Sequence, residues 1–440
     1  MNTQIPLSEY IQRRQTLLSK CEPDSLVAIP AASLVTRSRD TEYQFRQDSY
    51  FWYLTGFNEP DGLLLLSNKD ESEQGASYIF VPPKDKQAEI WQGKRLGVEQ
   101  ATTDLGVDQA FSLEELAELL PEFIDGHQHL YYCLDSHPHM DAEIQTAIAT
   151  CKAAPKQSMI APRSIYDVSQ LLDEMRLIKS ANEIAVMQIA ADISVDAHLA
   201  AMKKAKSGIW EYQLEAIILH EFAMQGARFP AYNTIVGGGE NACILHYTEN
   251  NQVINDGDLV LIDAGCEYQG YAADITRTFP VNGKFSKPQA DIYQLVLDAQ
   301  LACIDYFGPG ATLAEGMKIA VEIIAGGLLK LGILKGSLPE ILENESWRNF
   351  FMHGLGHYLG LDVHDVGNYK KNGQDLPLQP GTVLTVEPGI YVSKDADVPD
   401  EYKGIGVRIE DNILITNKGN EVLTIGAVKE IAAIETLMQA

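Results

Sequence analysis

Residues 258–279 read DLVLIDAGCEYQGYAADITRTF. Two apolar, alternating runs flank a short polar turn, the pattern of a β-hairpin. A two-residue turn centred on Tyr268 and Gln269 sets Asp263 directly opposite Asp274. On that register the two Cβ atoms lie ~4.5–5.5 Å apart on one face of the sheet. Carboxylates that close repel each other unless a cation or a proton lies between them. An unpaired charge in an apolar strand is also expensive. The competing reading makes one aspartate a turn residue and pairs the other with Arg277. The apolar setting of both favours a metal site.

Two more carboxylates stand in later apolar strands. TVLTVEPGIYV (382–392) holds Glu387 at a strand end, before Pro388 and Gly389, and GVRIEDNILIT (406–416) holds Glu410 inside another strand. Arg408 shares the face of Glu410 two residues away, so it can orient a buried carboxylate. Ahead of both segments lies FMHGLGHYLGLDVHD (351–365), with His353, His357 and His364 among glycines and apolar residues. The i, i+4 spacing of His353 and His357 alone suggests a helical zinc pair. Four carboxylates elsewhere change that reading, because an oxygen-rich site needs only one imidazole. Such a set suits two divalent cations, Mn²⁺, Mg²⁺ or Co²⁺, with Zn²⁺ admitted by the imidazole. Two metals about 3.5–4 Å apart share a hydroxide at neutral pH and polarise a carbonyl.

Other chemistries find no support. HGLGH has Gly356 where the HExxH zinc-protease motif has glutamate, and no GxSxG elbow occurs. IVGGGENA (235–242) lacks the P-loop lysine and the GxGxxG spacing, so it reads as a glycine-rich turn between strands.

The chain has 440 residues, which implies two domains. Its formal net charge of -27 repels phosphate backbones and disfavours a nucleic-acid partner. The N-terminus lacks a signal-peptide core, and the longest apolar segments contain charges and are too short for a bilayer. The six cysteines are scattered, without a CxxC pair, and read as free thiols. A cytoplasmic protein with no membrane partner is the expectation.

SLVAIP (25–30), GLLLLSN (62–68), SYIFVPP (77–83) and HLYYCLD (129–135) read as strands. FSLEELAELLPEFI (111–124) reads as a helix capped by Ser112 with Glu115 three residues on. A helical stretch over 164–179 follows, and Ser180 with Glu183 opens a second helix over about 181–204. The boundary falls near 175, giving a mixed-sheet α/β domain over 1–175 and an α+β domain over 176–440. WEYQLEAIILHEFAM (210–224) and residues 313–334 are long amphipathic helices. His198 and His220, inside helices, read as satisfied or solvent-facing side chains.

The ordered set IDAG (262–265), DITRTF (274–279), HGLGHYLGLDVHD (353–365), VEPGIY (386–391) and GVRIEDN (406–412) resembles the pita-bread metallopeptidases of family M24. RDTEYQFRQDSYFWYLTGFNEPDG (39–62), EIWQGKRLG (89–97) and FPAYNTIVGGGENACILHYTEN (229–250) are similar to its bacterial aminopeptidase P branch, so the resemblance covers essentially the whole chain. It implies a C-terminal pita-bread catalytic domain behind a creatinase-like N-terminal domain. It implies a dinuclear centre with Asp263, Asp274, His357, Glu387 and Glu410 as ligands, Asp274 and Glu410 bridging. Mn²⁺ is the first choice of metal, with Co²⁺ or Zn²⁺ acceptable.

By the same resemblance, His246, His353 and His364 contact substrate and share protons. Glu387 accepts the proton of the attacking water, Arg408 and Tyr391 support the site, and Tyr232 lines the cleft. Trp91 reaches the substrate cleft of a neighbouring subunit in a homotetramer. The implied reaction is hydrolysis of the bond between a first residue and a following proline by a bridging hydroxide. The alternatives are a prolidase that cuts only dipeptides, and a non-catalytic pita-bread binding protein, which the filled ligand set argues against.

Overall fold

The computed structural model describes residues 5–69 and 75–439. The chain divides into two compact units, one ending at Met175 and the other beginning at Arg176.

In the first unit the four apolar runs form strands Ser25–Pro30, Leu63–Ser67, Ala76–Val81 and His129–Tyr131. With Gln109–Ser112 and Ser164–Tyr166 they make a six-stranded sheet, parallel at its outer pairs and antiparallel around Leu63–Ser67. Ser112 and Glu115 form the expected capping box, ahead of the helix Leu116–Ile124. That helix and Pro138–Ala153 pack on the sheet through Leu116, Leu120, Ile124, Ile144 and Ala147.

The helix expected over 164–179 is corrected. Ser164–Tyr166 is an edge strand running parallel to His129–Tyr131, and helix begins only at Ser169. The break lies at Asp167, whose side chain accepts the Ser169 N–H at 2.9 Å. An aspartate bonded to the backbone two residues on favours a turn over helix continuation.

In the second unit Ser180 and Glu183 form a capping box on the helix Ala181–Lys204. This helix is long and apolar enough to cross a membrane by length and composition, contrary to the sequence expectation. It is nevertheless a core helix, with Val186, Ala190, Ile193, Ala197 and Ala201 buried. Helices Glu211–Met224, Lys287–Tyr306 and Leu313–Lys330 flank small antiparallel sheets built from 235–280 and 383–422. One continuous apolar core runs from Ala190 to Ile434. His198 is fully buried, its Nε2 bonded to the Ala264 carbonyl at 2.9 Å, and His220 is exposed.

The hairpin register differs from the expected one. Tyr268 pairs with Tyr271, so the turn residues are Gln269 and Gly270, with φ of 50° and 84°. A tight hairpin turn of this type needs positive φ at both central residues, and Gly270 meets that need where Tyr268 does not. Asp263 therefore opposes Thr276, and Asp274 is displaced by two residues. A shift of two preserves the side-chain face. The two aspartates remain on one side as diagonal neighbours instead of a direct pair.

Candidate metal centre

Each carboxylate of the candidate site stands where a strand ends or changes partner. Asp263 closes the strand Leu259–Asp263, and Asp274 lies just before Thr276–Pro280. Residues 383–386 pair with 411–414, whereas 389–392 pair with 405–408. Glu387 and Glu410 occupy the two gaps between those ladders. Glu410 is thus not inside a strand, as the sequence pattern suggested. Its N–H bonds across to the Thr276 carbonyl at 3.1 Å, because its own ladder is interrupted there.

His357 comes from an irregular segment, not from a helix, so the helical zinc-pair geometry does not form. The His357 N–H bonds to Thr385 Oγ1 at 3.0 Å, and its carbonyl accepts the Thr385 N–H at 2.9 Å. A Cβ on Gly356 would stand 2.0 Å from the Thr385 carbonyl oxygen. Gly356 therefore serves the approach of this segment to the strand Val383–Val386.

These elements bring the five candidate ligands together. Donor atoms of Asp274, His357 and Glu410 lie within 4.8 Å of one another. His357 Nε2 is 3.5 Å from Asp274 Oδ2 and 3.4 Å from Glu387 Oε1. The Tyr232 hydroxyl lies 2.6 Å from Asp263 Oδ1 and also bonds Asp274 Oδ1. All four carboxylates belong to one buried cluster of like charge. Burial, then the neighbouring carboxylates, pushes Glu410 well above the usual carboxylate range. Burial raises Glu387 to about 7 and also raises Asp274. Burial works against charge on His357 too, but Asp274 and Glu387 outweigh it and lift the ring to about 9.

The donor set fits divalent cations. His357 Nδ1 bonds the Tyr358 carbonyl at 3.0 Å, so Nδ1 carries the proton and Nε2 faces the carboxylates. That arrangement of the second nitrogen is the usual one for a metal-ligating histidine. The single Tyr232 proton cannot serve both Asp263 and Asp274. Positive charge between the carboxylates removes the repulsion that remains.

Arg408 supplies the nearest fixed counter-charge. It donates to Asp263 Oδ2 at 2.6 Å, to the Tyr391 hydroxyl at 2.8 Å and to Thr276 Oγ1 at 3.1 Å. Thr276 in turn donates to Glu410 Oε2 at 2.7 Å. Arg408 thus orients Asp263 directly and Glu410 only through Thr276. Arg277 does not pair with either aspartate of the hairpin; its partner is Asp411.

A cavity of about 430 Å³ opens onto this cluster, walled by His246, His353, His364, Tyr369, Glu387 and Arg408. The His364 ring packs edge-on against His357, with centroids 4.2 Å apart. His353 is the most constrained of the three non-ligand histidines. Its Nδ1 bonds the Gly354 carbonyl and its Nε2 the Tyr391 hydroxyl, both at 2.8 Å. Burial, then Arg408, lowers it to about 4, so it is neutral. Tyr232 and Tyr391 turn their hydroxyls toward the carboxylates and Arg408. Trp91 lies in the first unit, 84% exposed on the short helix Lys86–Gln92, which buries none of its residues.

Several supporting residues escaped the sequence reading. Thr276 and Thr385 hold ligands as above. Asn412 bonds both the N–H and the carbonyl of Asp274. Asp365 is buried beside His364 and takes Arg176 at 2.6 Å and Lys179 at 2.7 Å. Thr276 and Asn412 each lie two residues after a candidate ligand, and that spacing was an available signal. The partners of Asp365 come from nearly 190 residues away in sequence, 189 and 186 respectively, and gave none.

Comparison with known proteins shows a metallopeptidase family. The model of "Metallopeptidase family M24" matches residues 185–417, and that of "Aminopeptidase P, N-terminal domain" matches residues 10–131. The Xaa-Pro aminopeptidase of Haemophilus influenzae is 49% identical over 434 residues, covering 99% of this chain and 98% of the relative. That of Escherichia coli is 49% identical over 440 residues, covering 100% and 99%. A solved structure of zinc-substituted E. coli aminopeptidase P in complex with product superposes with a TM-score of 0.97, at 48% identity and 99% coverage of both chains.

Proposed function

The chain belongs to metallopeptidase family M24, and on that premise we propose both its reaction and the work of each site residue. It is a metal-dependent aminopeptidase that hydrolyses the bond between an N-terminal residue and a penultimate proline. The observation that carries this is the convergence of Asp274, His357 and Glu410 in one buried group, with Asp263 and Glu387 against it. The Haemophilus influenzae and Escherichia coli relatives, which match over 99% and 100% of the chain, are Xaa-Pro aminopeptidases, so the prolidase alternative is not favoured.

Asp263, Asp274, His357, Glu387 and Glu410 would hold two divalent cations, with Asp274 and Glu410 at the middle of the set. Mn²⁺ is the proposed occupant, because four of five ligands offer oxygen. When bound, the cations supply a deprotonated water at neutral pH and polarise the scissile carbonyl. Glu387 takes the proton of the attacking water, and a proton is delivered to the proline nitrogen as the scissile C–N bond breaks. His246 and His364, on the cavity wall, steady the oxygen of the scissile carbonyl as charge develops there. With both ring nitrogens engaged, His353 has no proton free for the substrate, and its ring walls the site. Arg408 and Tyr391 keep that ring and Asp263 in place. The Xaa–Pro bond has no N–H and a fixed φ, so it needs such a dedicated pocket. Further proposals are a homotetramer in which Trp91 of one copy reaches the cleft of another, and a cytoplasmic location.

The test compares Xaa–Pro–Yaa tripeptides with Xaa–Pro dipeptides, with and without Mn²⁺. Metal-dependent release of the first residue from tripeptides is expected. Cleavage of dipeptides alone would favour prolidase, and no hydrolysis with any divalent metal would sink the enzyme reading. His364→Ala is expected to keep its full metal content and lose turnover on the order of 100-fold, the lower range for a positioned proton or hydrogen-bond donor. Loss of metal in step with activity would show that His364 has been misassigned.

A further inference from the structure

The loop 238–252 carries His246 to the cavity, and it has little regular structure of its own beyond the 3₁₀ turn Gly239–Cys243. Its position is instead tied to one side chain. Glu211, at the start of the helix Glu211–Met224, is fully buried. Its Oε1 accepts the Gly238 N–H at 2.8 Å and the Asn241 side-chain amide at 2.9 Å. Its Oε2 accepts the Tyr247 hydroxyl at 2.8 Å and the Gln252 N–H at 2.9 Å. The Glu211 N–H also donates to the Gln252 carbonyl at 3.0 Å.

All four donors to the carboxylate belong to this one loop, two at its start, one at its end and one beside His246. A buried carboxylate is tolerable only when hydrogen-bonded, so the loop and the charge stabilise each other. Opposite Glu211 the loop is backed by fixed structure. Ala242 and Tyr247 pack with Ile235, Leu261 and Tyr391. A Cβ on Gly406 would stand 2.3 Å from the Ala242 carbonyl oxygen. The loop is therefore clamped between the Glu211 carboxylate and the strands that carry Tyr391 and Arg408.

We propose that Glu211 is a positioning residue for the reaction, fixing His246 at the scissile carbonyl by gathering the loop 238–252 onto its carboxylate. This rests on the aminopeptidase reading, in which His246 acts on the substrate. Glu211 lies outside the candidate ligand set and touches none of its members in the hydrogen bonds described above.

The test is a double-mutant cycle on an Xaa–Pro–Yaa tripeptide with the Mn²⁺-loaded enzyme. Glu211→Gln keeps the shape but turns an amide N–H toward loop donors. It is expected to lower kcat roughly 10- to 100-fold, the range for a small displacement of a reacting group, with KM little changed and metal content full. In a His246→Ala background the same change is expected to lower kcat by less than ~2-fold, since residues acting as a unit are not additive. Hydrogen exchange at Gly238 and Gln252 is expected to speed up in Glu211→Gln, while the hairpin around Asp263 stays protected.

An unchanged kcat, or a loss that multiplies in full with that of His246→Ala, would overturn the proposal. Should Glu211→Gln not fold, Tyr247→Phe and Asn241→Ala each remove one donor. Their smaller losses must likewise vanish in the His246→Ala background, or the proposal fails. An inactive wild type would instead overturn the aminopeptidase reading, and the exchange experiment still decides whether Glu211 holds the loop.

Discussion

Replacing Asp274 by alanine will strip the centre of metal and reduce hydrolysis of Xaa–Pro–Yaa peptides by on the order of 1,000-fold or more. The magnitude follows from two quantities. A metal acting as Lewis acid is worth several kcal/mol of transition-state stabilisation, and about 1.36 kcal/mol is tenfold in rate. Asp274 stands within 4.8 Å of both His357 and Glu410 at the centre of the cluster, and it is 5% exposed. The loss will not come through misfolding. The backbone of Asp274 is held by Asn412 at both its N–H and its carbonyl, and neither bond needs the carboxylate. In metal-free protein the substitution removes one of four crowded carboxyl groups, whose burial and mutual repulsion disfavour their charged forms. Melting in the presence of a chelator should therefore show Asp274→Ala at least as stable as the wild type. Elemental analysis reads the metal directly, and a full complement in Asp274→Ala would overturn its assignment as a ligand.

The contrast between what the sequence made legible and what it did not has a physical basis. Asp263, Asp274, Glu387 and Glu410 were visible because each is a charged residue in an apolar stretch, where it needs a partner; His357 was set apart from His353 and His364 only by the resemblance to family M24. The Ser112 and Ser180 capping boxes were visible because the interaction is closed within four residues. The hairpin register failed because the turn is decided by φ at Gln269 and Gly270, and alternation of apolar residues is blind to a shift of two. Glu410 looked like a strand residue because both flanking runs are strands; the partner change between them depends on a distant segment, 383–392. The same holds for Arg277. The nearest acids in sequence, Asp263 and Asp274, suggested themselves as partners, but it reaches Asp411, 134 residues away. Contacts closed within a turn can be read from spacing, whereas long-range pairing cannot.

Arg277 gives the second large effect. Arg277→Ala is expected to destabilise the second unit by about 3–5 kcal/mol, the range for removing one partner of a buried ion pair. For a unit of this size that corresponds to a melting temperature lower by roughly 6–20 °C. The side chain has no exposed surface. It donates to Asp411 Oδ1 at 2.6 Å, to the Thr276 carbonyl at 2.9 Å and to the Ala427 carbonyl at 2.8 Å, and it also bonds the Glu410 carbonyl. Truncation removes one donor from each of those buried carbonyls, of which Thr276 keeps the Glu410 N–H, and opens a cavity beside them. Asp411 keeps Lys429 at 2.7 Å, Gln300 at 2.9 Å and Thr424 at 2.7 Å, so the loss is large without being total.

The pH dependence has a definite sign. Burial raises the Asp411 carboxyl, but Arg277 and Lys429 outweigh it and hold it below the usual range. A depressed folded-state value adds stability that is present above the unfolded aspartate value of about 3.9 and lost as pH falls through the folded one. The gap between wild type and Arg277→Ala should therefore be widest near neutrality and close in acid. A second consequence reaches the metal centre. One guanidinium nitrogen of Arg277 holds the carbonyls of both Thr276 and Glu410, and the Thr276 hydroxyl supports the Glu410 carboxylate. Metal affinity should weaken in Arg277→Ala even below its melting point. A melting temperature within a degree or two of wild type would show that the pair contributes little and that Lys429 alone balances Asp411. Unchanged metal affinity in the destabilised protein would show that Glu410 is held by its own backbone and not through Arg277.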